Sequence, residues 1–251
     1  MRICGFQKTT LLDYPEHVAA TIFLGGCNFR CPFCHNRDLV LHPDEAEPFS
    51  EDEILSYLRK RKGILQGVCI TGGEPTLSSD LPLFIRKIKE LDYLVKLDTN
   101  GSNPDMLKQL YRAHLIDYVA MDIKSGLSDY GHVCGLPEMS EQMISNIRES
   151  IRFLIKETDA LRFQYEFRTT CVAELHTKES FRQIGKLIEG AGKFYLQSYV
   201  DSDHILSYEN TISDHSENHM ITFHAYAKED LLTFMDLVRP FVKEVSLRGV
   251  E

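Results

Sequence analysis

Cys27-Asn28-Phe29-Arg30-Cys31-Pro32-Phe33-Cys34-His35-Asn36 places three cysteines within eight residues, spaced C-x3-C-x2-C. A β-like run, Val18 to Leu24, and the pair Gly25-Gly26 lead into it. Glycines at that point let the backbone turn sharply and come close to a bound group. Three thiolates on one loop suit a four-iron cluster, holding three irons and leaving the fourth open. A zinc knuckle with His35 as fourth ligand is the alternative. Adjacent Cys34 and His35 are awkward co-ligands, and structural zinc sites usually draw on two separated ligand pairs. A disulfide framework fits poorly in a chain of 251 residues whose opening, Met1 to Lys8, has no signal-peptide apolar core.

Outward from this loop, short apolar or β-branched runs alternate with helical stretches. Strands are expected at Val18–Leu24, Gly67–Thr71, Tyr93–Leu97, Tyr118–Ile123, Gln164–Thr170 and Lys193–Tyr199. Helices are expected at Glu51–Lys62, Asp80–Leu91, Asn103–Ala113, Glu141–Lys156, Thr177–Glu189 and Ala227–Phe241. Ser50 with Glu53 forms a capping box, Pro82 is tolerated in a first turn, and Asn103-Pro104 opens a helix. Val242–Arg248 reads as a last strand, and the polar stretch Asp201–Asn218, with His204, His215 and the nearby His219, as a solvated loop.

Six βα repeats imply an α/β fold: a partial (β/α)6 TIM-like barrel with a mainly parallel sheet and a C-terminal extension. The expectation is one domain over 1–251, with a core of about 15–200 and an extension of about 201–251. In such folds the site lies at the C-terminal ends of the strands. Those ends read Gly25-Gly26-Cys27, Thr71-Gly72-Gly73-Glu74-Pro75, Asp98-Thr99-Asn100-Gly101, Asp122-Ile123-Lys124, Arg168-Thr169-Thr170 and Gln197-Ser198-Tyr199. Polar residues and glycines gather at the same end each time, and that agreement in direction is the informative part.

Composition narrows the class further. The chain is 43% hydrophobic and 26% charged, with a net charge of −9. That balance argues against general binding to nucleic acid or an anionic membrane. No apolar run approaches the roughly 20 residues of a membrane span. A cytoplasmic protein with reduced thiols is expected. The scattered Cys4, Cys69, Cys134 and Cys171 read as small buried apolar residues.

Several residues carry candidate chemistry. Gly72-Gly73 exposes main-chain groups, and Glu74 has the chemistry to accept from an ammonium group. Asp98 and Thr99 add a carboxylate and a hydroxyl at the next strand end. Asp122 and Lys124 lie two apart on a strand and so share a face. Arg168 on an inward face suits a carboxylate or hydroxyls. Each has a plainer reading as a turn residue or a structural ion pair.

Taken together, these motifs resemble those of radical S-adenosylmethionine enzymes: the C-x3-C-x2-C loop with Phe33 before Cys34, and Gly72-Gly73-Glu74-Pro75. A narrower resemblance is to activating enzymes of glycyl-radical proteins. It is carried by Leu12-Asp13-Tyr14-Pro15, by Gly26 through Asn36, by Asp98-Thr99-Asn100-Gly101 and by Met121-Asp122-Ile123-Lys124. The chain looks most like the activating proteins of anaerobic ribonucleoside-triphosphate reductase, which also tend to end in a strand followed by Arg-Gly, as at Arg248-Gly249. The likeness is good over about residues 8–200 and loose in the tail.

The resemblance implies roles at the matching positions. Cys27, Cys31 and Cys34 would ligate a [4Fe-4S] cluster whose fourth iron chelates S-adenosyl-L-methionine. Gly72, Gly73 and Glu74 would contact its methionyl part, Asp98, Thr99, Asp122 and Lys124 would line the pocket, and Arg168 would lie near its carboxylate or ribose. In formate-lyase activases the counterparts of Asp98, Thr99 and Asp122 also hold a monovalent cation, and a later His contacts the cofactor. Here Gln197 stands near that place, a departure that disfavours the formate-lyase assignment. The implied activity is reductive cleavage of S-adenosylmethionine to a 5′-deoxyadenosyl radical that takes hydrogen from a glycine of a partner enzyme. No general base is required, and a flavodoxin or ferredoxin-type protein would supply the electron. The alternatives are a pyruvate formate-lyase-type activase, a radical enzyme acting on a small molecule, and a zinc-stabilised binding module.

Overall fold

The structure is a computed structural model, and it describes residues 1–45, 47–156, 163–202, 205–206 and 222–250. Most of the expected loop over 201–218 lies outside the described residues. In chain order the elements are β1 (Ile3–Thr10), β2 (Ala19–Leu24), α1 (Arg37–Leu41), α2 (Glu51–Lys60), β3 (Gly67–Gly72), α3 (Leu81–Lys89), β4 (Leu94–Thr99) and α4 (Pro104–Arg112). There follow β5 (Tyr118–Asp122), α5 (Tyr130–Val133), α6 (Glu141–Lys156), β6 (Gln164–Cys171), α7 (Lys178–Leu187), β7 (Lys193–Ser198), α8 (Lys228–Val238) and β8 (Glu244–Arg248). The strands form one eight-stranded sheet in the order β1 to β8. It is mainly parallel, which is the α/β architecture expected.

Two strands flank the six that the βα pattern marks. β8 pairs parallel with β7 and joins the C-terminal segment to the sheet. β1 pairs antiparallel with β2 and does not stand out as a strand in the sequence. Its side chains are half-buried or exposed except at its two ends, so pairing with β2, more than an apolar alternation of its own, holds it in place.

By contacts the chain divides into two compact units, one of Met1–Asn28 and Asp38–Ala120 with the residues before Tyr165, the other of Phe29–Arg37, Met121–Glu157 and Tyr165–Glu251. In the first, β2 and β3 run in parallel register from Ala19↔Gly67 to Leu24↔Gly72. Tyr14, Ala19, Tyr118 and Ala120 form a buried cluster near the strand starts, with the Tyr14 and Tyr118 rings edge to face at 5.9 Å. Tyr14 of the Leu12-Asp13-Tyr14-Pro15 segment therefore belongs to the floor of this unit. Helix ends follow their sequence signals: Ser50 and Glu53 form the capping box of α2, Pro82 lies in the first turn of α3, and Asn103 caps α4 by accepting from Met106 N at 3.2 Å. In the second unit, Phe181 of α7 stacks on Phe234 of α8 at 4.3 Å.

Candidate active site

In the first unit the site begins where β2 and β3 run out. Gly73 N donates to Leu24 O at 2.8 Å and Glu74 N to Gly26 O at 2.8 Å, so the ladder continues past the strands and ties Gly72-Gly73-Glu74 to the entry of the cysteine loop. The approach is too close for side chains. A Cβ on Gly72, which has φ +117°, would lie 2.3 Å from Leu24 O, and one on Gly73 would lie 2.0 Å from Gly26 O. Glycine is required there by backbone contact alone.

Glu74 is buried, and local donors take both of its oxygens. Oε1 accepts from Thr76 Oγ1, from Thr76 N at 3.1 Å and from Thr99 Oγ1 at 2.7 Å, while Oε2 accepts from Asn100 N at 2.6 Å. Burial pushes its carboxyl above the usual carboxylate range, against the pull of the Asn100, Thr76 and Thr99 hydrogen bonds. Glu74 thus fastens β3 to the end of β4. The Asn100 side chain goes on to the cysteine loop: Nδ2 donates to Asn28 Oδ1 at 2.9 Å and lies 3.9 Å from Cys27 Sγ. Asn28 Nδ2 donates to Ser102 Oγ at 2.9 Å.

Asp98 precedes Thr99 at the end of β4. Its carboxylate pairs with Lys96, two residues earlier on β4, and Cys69 Sγ lies 3.8 Å away. Lys96 is itself buried and 3.7 Å from Cys69 Sγ, its register partner on β3. A buried cation of this kind gives no sequence signal beyond the i, i+2 spacing to Asp98.

In the second unit Asp122 sits between two cations. Lys124 Nζ donates to Oδ2 at 2.9 Å and Arg168 Nε to Oδ1 at 2.5 Å. Burial opposes ionisation of Asp122, but Arg168 and Lys124 overcome it and hold the carboxyl well below the usual range. Burial likewise works against the Lys124 ammonium, and Asp122 with Cys31 nevertheless raises its pKa. His176 fixes the Lys124 backbone: its Nδ1 accepts from Val172 N at 3.1 Å, which leaves Nε2 to donate to Lys124 O at 2.7 Å. Burial lowers the His176 pKa, in keeping with that neutral tautomer.

Cys31 is buried, and its thiol pKa is lowered first by a hydrogen bond with Cys134, against burial, with Lys124 adding to the effect. Burial raises that of Cys34. The Cys34 segment is tied down by Leu206 N to Cys34 O at 3.1 Å, by His35 Nε2 with Val200 O at 2.7 Å, and by stacking of His35 on Tyr199 at 5.5 Å. Further along the sheet, Arg248 makes a two-pronged pair with buried Glu166, at 2.5 and 2.8 Å, and lies 3.6 Å over the Tyr195 ring.

Gly72, Gly73, Glu74 and Thr99 therefore assemble with Cys27 in one unit, and Asp122, Lys124 and Arg168 with Cys31 in the other. Asn100, Lys96, His176 and Cys134 are the residues that sequence reasoning did not select. Asn100 alone had a signal, since it lies within the Asp98-Thr99-Asn100-Gly101 strand end.

A model of the Radical SAM superfamily matches residues 21–158, more than half of the chain, and the chain belongs to that superfamily. It is thus a radical SAM enzyme. A Methanocaldococcus jannaschii protein provisionally named a glycyl-radical enzyme activating enzyme is 32% identical over 202 residues, covering 80% of this chain and 81% of its own. A second protein of that organism with the same provisional description is 26% identical over 212 residues, covering 83% and 73%. Among solved structures, Streptococcus suis SuiB bound to S-adenosylmethionine superposes with a TM-score of 0.62 over 90% of this chain and 51% of that one. At 13% identity that likeness shows the fold alone.

The superfamily implies a [4Fe-4S] cluster and S-adenosylmethionine. Among the described residues, no group of three or more His, Cys, Asp or Glu side chains is arranged to hold a metal ion. The fit rests on donor chemistry: the loop carries three soft sulfur ligands, one beside the Asn100 amide and one held towards thiolate, as iron–sulfur clusters need. Among the described residues no helix is long and apolar enough to cross a membrane.

Proposed function

We propose that this chain generates a glycyl radical on a partner enzyme, and that the partner is an anaerobic ribonucleoside-triphosphate reductase. The observation that carries the activase reading is the match to the relative named a glycyl-radical enzyme activating enzyme, which spans about four-fifths of both chains. The finer choice of partner is supported by the Arg248-Gly249 ending and by Gln197 standing near the place where formate-lyase activases have a His.

Cys27, Cys31 and Cys34 hold the cluster in this reading, and the main chain of Gly72 to Glu74 borders the methionyl part of S-adenosylmethionine. Bound together, the two cofactors would supply the one-electron radical chemistry needed to take hydrogen from a glycine Cα. The protein's own work is positional. Glu74 locks the glycine turn to Thr99 and Asn100, Asn100 steadies Cys27, and Asp122 orients Lys124 and Arg168. Asp98 is paired with Lys96 in the first unit, and Asp122 with Lys124 and Arg168 in the second. A flavodoxin or ferredoxin-type donor completes the scheme.

The test is anaerobic reconstitution with iron and sulfide, reduction, and measurement of 5′-deoxyadenosine, followed by electron paramagnetic resonance on candidate partners. A glycyl doublet on the reductase is the expected result. An intact cluster that cleaves S-adenosylmethionine only when a small substrate is added would overturn the activase reading. A doublet on another glycyl-radical enzyme alone would overturn the choice of partner.

A further inference from the structure

Cys134 has no place in the ligand set or in the pocket, yet the fold builds it against Cys31. It caps the short helix α5, where its N–H donates to Tyr130 O at 3.0 Å. Its carbonyl accepts from Arg30 N at 2.8 Å, the peptide that enters Cys31. The next residue, Gly135, has φ +68°, and a Cβ there would stand 2.0 Å from Arg30 O. The two chain segments are thus in backbone contact on both sides of Cys134. Both thiols are buried, at 6% and 0% exposure, and hydrogen-bonded to each other, and the Lys124 ammonium interacts with both sulfurs.

We propose that Cys31 and Cys134 form a reversible disulfide when the cluster-free protein meets peroxide, with Cys134 as the resolving thiol. Buried, hydrogen-bonded thiols whose backbones are already tied need little movement to reach disulfide geometry. Hydrogen peroxide is small enough to enter a closed site. The Cys31 sulfur attacks the O–O bond, giving a sulfenic acid and one water. The Cys134 sulfur then displaces the sulfenic oxygen, which leaves as a second water. Two thiols lose two electrons and one peroxide gains them. The product resists further oxidation to sulfinic acid, and an added dithiol returns both thiols. Cys34, across the Pro32-Phe33 link, is the competing partner, but it interacts with Cys31 only electrostatically, whereas Cys134 is hydrogen-bonded to Cys31 and held there by a separate, helix-anchored segment.

The disulfide does not depend on the assignment of Cys31 as a cluster ligand. Its consequence does, because a cross-linked Cys31 cannot bind iron until reduced. The experiment uses the full chain, freed of iron and kept reduced under argon. It is treated with one equivalent of hydrogen peroxide, alkylated in denaturant, digested without reductant and mapped by mass spectrometry. The expected product is a Cys31–Cys134 cross-linked peptide as the dominant oxidised form, reversed by dithiothreitol. In Cys134→Ser, and in Cys134→Ala as a second variant, sulfinic acid at Cys31 should rise by about fivefold or more. Cross-linking of Cys31 mainly to Cys34 or Cys27, or equal sulfinic acid in wild type and both variants, overturns the proposal. The wild-type map decides the question even if the variants fold poorly. A parallel uptake of iron and sulfide separates the two claims. If reduced wild type forms the disulfide with peroxide but never takes up iron, the cluster reading fails and this inference stands.

Discussion

Gly73→Ala is the sharpest test of how the site is assembled. Gly73 does not have the positive φ of its neighbour, so alanine meets no backbone penalty of its own. The obstacle is the Gly26 peptide: the new methyl would lie 2.0 Å from its oxygen and 2.6 Å from its carbon. Both are backbone atoms, so no side chain can swing aside, and the end of β3 must separate from the entry to the cysteine loop. Overpacking of a closed site costs about 1–3 kcal/mol. The two hydrogen bonds at stake, Gly73 N to Leu24 O and Glu74 N to Gly26 O, are each 2.8 Å long and contribute about 1 kcal/mol apiece. A loss of roughly 3 kcal/mol follows, or a fall of about 6–12 °C in melting temperature for a chain of this size. Urea unfolding of the metal-free protein reads the first quantity, and iron content after reconstitution reads the displacement of Cys27. A change below about 0.5 kcal/mol together with full iron loading would refute the claim that backbone contact dictates this glycine.

Glu74→Gln should cost about 1–3 kcal/mol despite its equal size, because either amide orientation turns an N–H2 towards a backbone donor, Thr76 N or Asn100 N. The wild-type carboxyl is raised in the fold, so its contribution is complete below the unfolded value of about 4.3 and is lost as pH rises through the folded value; the Gln variant should lack that slope in a stability–pH profile. Asp122 behaves oppositely. Its depressed pKa contributes stability above the unfolded value of about 3.9 that is lost as pH falls through the folded value, so Asp122→Asn should flatten the acid limb of the same profile. Arg248→Ala removes the two-pronged ion pair from Glu166, which is 0% exposed, and should destabilise the protein by roughly 3 kcal/mol in urea unfolding, while Arg248→Lys, which keeps the charge but not the two-pronged geometry, should recover only part.

Much of this protein was legible from its local sequence. The cysteine spacing, the two glycines after β3 and the alternation of β-branched runs with capped helices depend on neighbours a few residues away, and they led to the superfamily and the mainly parallel sheet. The capping box at Ser50 and Glu53 appears as expected because a helix start is a local event. What the tertiary structure decided is which groups face one another. Glu74 looks like a free carboxylate in the sequence, but its partners Thr99 and Asn100 lie on another strand. Lys96 reads as an ordinary surface lysine until the register sets it opposite Cys69 and beside Asp98. β1 has too weak an apolar pattern to declare itself, since it is held by an antiparallel partner. Cys134, about a hundred residues after Cys31, meets it through two backbone contacts that no spacing rule encodes. Hydrogen bonding and the electrostatics of buried groups act over a few ångströms in space, whatever the separation along the chain, so they become readable only once the strands are in register.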